Sequence, residues 1–256
     1  MPPLILPAEI KPDYCFYHIP KCMGTSLRKM LYSYFTQVYD REKVYLPGVN
    51  RKLNVNLTNQ DRYNTIIAAE LDIKVLLCHC NFDQEGISSQ FSDSSFSITC
   101  VREPIDRMIS HYYYTWYPTR PEKHKNYPCA GIFIHKLPKV LFMKMVKRNV
   151  ITAQLSGGVP RGDINIALKN VDRINCILNL ENIQEDVKHL NQVLNLRFGK
   201  DIKMSIEYVN INSKILKKKG ITLPSVKDLE LDRERILEQS HLITDLTVYN
   251  HIQNRK

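Results

Sequence analysis

A lysine, a glycine and two hydroxyls stand together in Lys21-Cys-Met-Gly-Thr-Ser26, directly after a β-rich stretch, Tyr14 to Ile19, that stops at Pro20. Beyond them Leu27, Met30, Leu31, Tyr34 and Phe35 recur at helical spacing, so the local order is strand, tight loop, helix. Such a loop presents unpaired backbone N–H groups and the positive end of a helix dipole, which suits a phosphate. Lys21 supplies a point charge, Gly24 allows close backbone approach, and Thr25 and Ser26 can donate hydrogen bonds to phosphate oxygens. An ordinary capped helix accounts for the same residues, and the loop alone does not separate the two readings. It is not a Walker A loop, because that motif places its lysine after the glycines, whereas Lys21 precedes a single Gly24.

Two further strand ends carry candidates. Lys74 to Cys80 reads as a short buried strand with His79 at its C-terminal end. A histidine there is either a buried imidazole bonded to a carbonyl or a base that titrates near neutrality, and the residues leave both open. Phe96 to Val101 reads as a second buried strand, followed by Arg102-Glu-Pro-Ile-Asp-Arg107, where Pro104 suits the first turn of a helix carrying Ile109, Tyr112, Tyr113 and Trp116.

The rest of the chain must hold these turns together. Val140 to Val150 reads as helix, Arg173 to Leu180 as strand, Ile183 to Leu196 as amphipathic helix, and Leu229 to Ile252 as a terminal helix or helix pair. Residues 47–64 read as a polar surface excursion, and 118–138 as a long basic, proline-rich loop. Alternating helices and strands without repeats favour an α/β fold in a single domain spanning residues 1–256.

Composition narrows the partners. The chain has 36 Lys and Arg against 26 Asp and Glu, a formal charge of +10, so it should attract phosphates, acidic glycans, nucleic acid or anionic lipid. No apolar run nears the roughly 18 residues of a spanning helix, and residues 1–12 lack a signal peptide's basic start and long apolar core. The expectation is a soluble, unexported chain. Cysteines 15, 22, 78, 80, 100, 129 and 176 read as buried free thiols; Cys78 and Cys80 flank His79, but no second pair lies at zinc-site spacing, so no metal is expected.

His18-Ile-Pro-Lys-Cys-Met-Gly-Thr-Ser-Leu27 closely resembles the H-I-P-K-x-G-G-T-S-[LF] signature of the carbohydrate sulfotransferases that include the heparan sulfate 2-O- and 6-O-sulfotransferases. It departs at Met23, where the family has glycine, which implies a stiffer loop. The family's second signature has an arginine at a strand end and a serine eight residues later, and Arg102 to Ser110 matches it. A continuous helix would separate those residues by about 12 Å, but the intervening turn folds Arg102 back so that both can face one anion. Leu77-Cys-His79, Asn149 to Gly157, Ile177 to Glu181 and Ile243 to Tyr249 resemble further family segments.

The resemblance implies a P-loop-like central parallel sheet flanked by helices, and transfer of a sulfuryl group from 3'-phosphoadenosine 5'-phosphosulfate (PAPS) to a hydroxyl, with a carbohydrate expected as acceptor. Lys21 would stabilise the bridging oxygen and departing 5'-phosphate, Gly24, Thr25 and Ser26 would hold that phosphate, Arg102 and Ser110 would bind the 3'-phosphate, and His79 would be the base. His18 would brace the phosphate loop. Tyr112, Tyr113, Tyr114, Trp116 and Tyr117 offer one set of rings to the core and another to a sugar. Eukaryotic members are typically Golgi-anchored by an N-terminal helix that this sequence lacks, so a cytoplasmic location is favoured over a lumenal one. Nucleic acid is not expected as a partner. The rival readings are a non-catalytic basic module that binds nucleic acid or acidic glycan, predicting salt-sensitive polymer binding without a nucleotide site, and a kinase-like phosphotransferase, for which no metal-binding carboxylate pair is evident.

Overall fold

In the computed structural model, residues 12–46, 72–78, 95–115, 149–157, 162–206 and 242–255 are described. Strand β1 (Tyr14–Tyr17) is buried along its whole length and lies at the centre of a five-stranded parallel sheet. Its neighbours are β3 (Val75–Cys78) and β4 (Phe96–Val101); β2 (Val44–Tyr45) and β5 (Cys176–Asn179) form the flanks, giving the order β2-β3-β1-β4-β5. The uninterrupted apolar runs in β1 and β3 follow from burial on both faces, the usual condition of a parallel sheet. In β4, Ser97 and Thr99 are buried but satisfied: Ser97 meets the Asn175 side chain and Thr99 donates to the Tyr17 carbonyl.

The register fixes where the turns fall. Tyr17 pairs with Cys78 on one side and Thr99 on the other, so β1, β3 and β4 all run out at one edge of the sheet. From β1 the chain travels outward to β2 and back to β3, then crosses to β4 on β1's other side. That reversal makes the carboxyl end of β1 the topological switch point, where open α/β sheets leave a crevice.

Helix α1 (Gly24–Phe35) turns Leu27, Leu31 and Phe35 into the core, and α2 (Pro104–Thr115) follows β4 with Ile105 and Met108 buried. Helices α3 (Val150–Leu155), α4 (Ile164–Arg173) and α6 (Leu242–Asn254) pack on one another, and α5 (Ile183–Phe198) packs on β5. At the amino edge of the sheet, away from the crevice, Tyr14, Phe35, Tyr39, Phe96 and Phe198 close into an aromatic plug with Tyr14 to Phe35 centroids 4.9 Å apart, and the Arg197 guanidinium lies 5.0 Å from the Phe96 ring centroid. Among the described residues no helix is long and apolar enough to cross a membrane.

Several expectations are refined. Phe96 to Val101 is a strand as read, but the strand expected over Arg173 to Leu180 starts at Cys176, because Arg173 ends α4, a helix the sequence reading did not include. The first strand ends at Tyr17, leaving His18 and Ile19 to the loop. The terminal helix is present from Leu242. Residues 47–64, 118–138, 140–148 and 229–241 lie outside the described residues, as do Trp116, Tyr117 and the side chains of Tyr112 to Tyr114.

Candidate active site

The chain leaves β1 through a tight turn in which the Cys22 amide donates to the Ile19 carbonyl at 3.2 Å. Pro20 holds the second position of this turn and Lys21, at φ 72°, the third, the pattern of a type II turn with lysine where glycine is usual. Met23 is also left-handed, at φ 59° and ψ 15°, and serves as the N-cap of α1 without a side-chain cap hydrogen bond. These are the only non-glycine residues with positive φ among the described ones, and they bracket Cys22. Strain of this kind costs on the order of 1–3 kcal/mol per residue and persists where surrounding contacts over-determine it.

Those contacts are visible. Cys22 is fully buried, and its thiol is pushed up to about 12 by burial, which keeps it neutral despite the nearby Arg107 and Arg102 charges that favour its thiolate. The His18 imidazole lies against Gly24: a Cβ built there would stand 1.7 Å from His18 Cδ2. Gly24 is therefore required for the approach of a buried histidine, while His18 itself stacks near-parallel on Phe16, with centroids 6.2 Å apart. The amides of Gly24 and Thr25 donate to no acceptor among the described residues and open the positive end of α1. Thr25 is half-buried there, whereas the Ser26 side chain is 5% exposed.

Lys21 and Arg102 come from the carboxyl ends of adjacent strands and meet electrostatically. Burial, and then the Arg102 charge, lower the Lys21 ammonium from 10.5 to about 8. Two cations that feel each other's charge at adjacent strand ends, beside helix-start amides that meet no acceptor among the described residues, suit anionic groups. Ser110 is half-buried on α2, two turns beyond Arg102. His79 follows the last described residue of β3 and lies outside the described residues.

The turn that carries Arg102 is tied on every side. Glu103 acts as N-cap of α2: its Oε2 accepts from the Asp106 amide at 2.8 Å and its carbonyl from the Arg107 amide at 2.8 Å. Its own amide donates to Glu181 Oε1 at 3.0 Å, and the other Glu181 oxygen accepts from the Tyr249 hydroxyl at 3.1 Å. Burial and the neighbouring Glu181 carboxylate push the Tyr249 phenol up to about 12, so it stays a donor, and the Asn179 side-chain amide reaches it at 3.5 Å.

Arg107 is 2% exposed, and the charge that most favours its guanidinium is that of Asp245 on α6. Asp245 is fully buried and has spent both oxygens on the start of α3: Oδ2 takes the Ile151 amide, and Oδ1 takes the Thr152 amide and hydroxyl at 2.8 and 2.7 Å. Burial raises the Asp245 carboxyl and lowers the Arg107 guanidinium, while each charge supports the other. Arg107 Nε and Nη1 have no hydrogen-bond partner among the described residues. The segments Asn149 to Gly157, Ile177 to Glu181 and Ile243 to Tyr249 thus join as one support behind Arg102. The Glu103 cap was missed in the sequence, because Glu-x-x-Asp reverses the usual order of a short capping side chain followed by Glu or Gln.

No group of His, Cys, Asp and Glu among the described residues is arranged to hold a metal ion. No curated protein matches the chain. Residues 11–135, which run from β1 through α2 and include both cationic turns, match the model described as the Sulfotransferase family. With this match and its helix-flanked parallel sheet, the chain has the α/β sulfotransferase fold, and sulfuryl transfer is the general chemistry that the family supports.

Proposed function

We propose that the chain moves the sulfuryl group of PAPS to a hydroxyl acceptor, with a carbohydrate as the acceptor class. The observation that carries this reading is the placement of Lys21 and Arg102 at adjacent strand ends by the switch point, beside Gly24 and Thr25 amides that meet no acceptor among the described residues. A donor with phosphate at both the 5' and 3' positions needs two separate anion sites, and the two turns supply one each.

PAPS, when bound, supplies the activated sulfuryl group. Lys21 neutralises charge growing on the bridging oxygen and leaving phosphate, an interaction stronger in the transition state than in the ground state and so a contribution to rate. Its lowered affinity for a proton still leaves it about nine-tenths charged at pH 7. Thr25, Ser26 and the α1 amides hold the 5'-phosphate, Arg102 and Ser110 hold the 3'-phosphate, and Gly24 admits the His18 ring that braces the loop. His79 is the candidate base that takes the acceptor's proton. The +10 charge and the aromatic and basic residues of 112–125 support an acidic glycan as acceptor.

Calorimetric titration with 3'-phosphoadenosine 5'-phosphate tests this. Micromolar binding is expected, weakened at least about tenfold in Lys21→Ala and Arg102→Ala, since charge-assisted phosphate contacts are worth about 1.5–3 kcal/mol each. His79→Ala should keep that binding and lose turnover of PAPS with a glycan acceptor. A folded protein that ignores the nucleotide but binds sulfated polymer in a salt-sensitive way would replace this reading with a non-catalytic glycan-binding module.

A further inference from the structure

A capping box closes on itself: the N-cap side chain takes the N3 amide, and the N3 side chain returns to the N-cap amide. Helix α2 makes only the first half internally, through Glu103 and the Asp106 amide. The returning half comes from another strand, because the Glu103 amide is taken by Glu181, 78 residues away at the end of β5. That amide belongs to the Arg102–Glu103 peptide, so the bond fixes the plane from which the Arg102 side chain projects. Glu181 is fixed in turn by the Tyr249 hydroxyl of α6, and Asn179 joins the same cluster.

We propose that Glu181 and Tyr249 are positioning residues that hold the Arg102 peptide in place and thereby set the preference for a nucleotide bearing a 3'-phosphate. This rests on the reading of Arg102 as the 3'-phosphate ligand. Tyr249 is held by α6 from the same helix face as Asp245, one turn earlier, whose buried carboxylate locks α6 to α3. The relay therefore runs from a fixed helix, through a phenol that keeps its proton, to a carboxylate with both oxygens engaged.

The test compares Kd for 3'-phosphoadenosine 5'-phosphate and for adenosine 5'-phosphate, by calorimetry, in wild type, Tyr249→Phe, Glu181→Ala and Glu181→Gln. Wild type should prefer the bisphosphate. Tyr249→Phe and Glu181→Ala should narrow that preference by about five- to tenfold, the scale of one ordinary net hydrogen bond, with adenosine 5'-phosphate binding changed less than about twofold. Glu181→Gln keeps a carbonyl for the Glu103 amide and should recover most of the preference.

Equal weakening of both nucleotides would mean a merely structural role, and an unchanged ratio in both variants would mean no role; either overturns the proposal. Tyr249→Phe retains the ring and its packing, so it carries the test if Glu181→Ala does not fold. Wild type that binds neither nucleotide, or binds both equally, overturns the parent reading of Arg102 and this proposal with it. Discrimination in wild type that survives in the variants overturns this proposal alone.

Discussion

Raising the pH should weaken nucleotide binding through Lys21, by an amount that follows from its surroundings. In the free protein, burial and the Arg102 charge disfavour the charged ammonium and lower it from 10.5 to about 8. A bound phosphate restores the charged form, so between about pH 8 and the liganded value, binding takes up a proton. At pH 7 Lys21 is about nine-tenths charged and at pH 9 about one-tenth, so affinity should fall about tenfold across that interval, or about 1.4 kcal/mol. Other groups interfere little: the phosphate is already dianionic, arginine does not titrate, and the Cys22 thiol is pushed up to about 12. Calorimetry with 3'-phosphoadenosine 5'-phosphate in two buffers of different ionisation enthalpy should show uptake of about half a proton at pH 8, and Lys21→Arg should remove both slope and uptake. A flat wild-type profile from pH 7 to 9.5, or the same slope in Lys21→Arg, would refute the placement of Lys21 as a partly buried cation at the phosphate. The sign reverses for folding: the folded state sheds this proton before the unfolded chain does, so Lys21's contribution to stability increases as the pH climbs from about 8 toward 10.5.

Other substitutions probe the supports. Gly24→Ala drives a methyl into the buried His18 ring and should cost about 1–3 kcal/mol in chemical denaturation while abolishing nucleotide binding; wild-type affinity would contradict the ring's position. Met23→Gly relieves a left-handed N-cap and should raise stability by about 0.5–1 kcal/mol, read as a higher denaturant midpoint at unchanged slope. Asp245→Ala removes three hydrogen bonds at the α3 start and the charge opposite Arg107, and should destabilise by about 3–5 kcal/mol; a loss under about 1 kcal/mol would show that Arg107 is solvated or otherwise compensated.

Legibility followed the range of the forces involved. Phe96 to Val101 could be read to the residue because it is an uncharged, fully buried run of strand-forming residues, and Pro104 marks the helix that follows. Val44–Tyr45 is too short to carry a pattern, and α4 went unread although Asp163 caps it in the ordinary way, its Oδ1 accepting from the Asn165 and Ile166 amides. For the site, Lys21 and Arg102 could be picked out because each ends a readable strand, but their adjacency depends on strand order, which no local pattern encodes. Lys21 and Met23 give no sign of left-handed backbone, since neither is glycine, asparagine or aspartate. The partners of Glu103 and Arg107 lie on β5 and α6, joined to them by tertiary packing, and sequence spacing is blind to such links.

The pairing of β4 with β5, from Ile98 opposite Cys176 to Val101 opposite Asn179, bears on how this protein can be divided for expression. Residues 11–135 contain the strands and turns that carry both cations and look like a detachable module. Cut there, β4 would lose its neighbour and present an apolar edge of unpaired amides and carbonyls, a template for intermolecular pairing. Arg107 would lose the opposing charge of Asp245 at the same stroke. Such a fragment should be recovered as aggregate, so mapping of activity in this chain calls for point substitutions in the intact polypeptide.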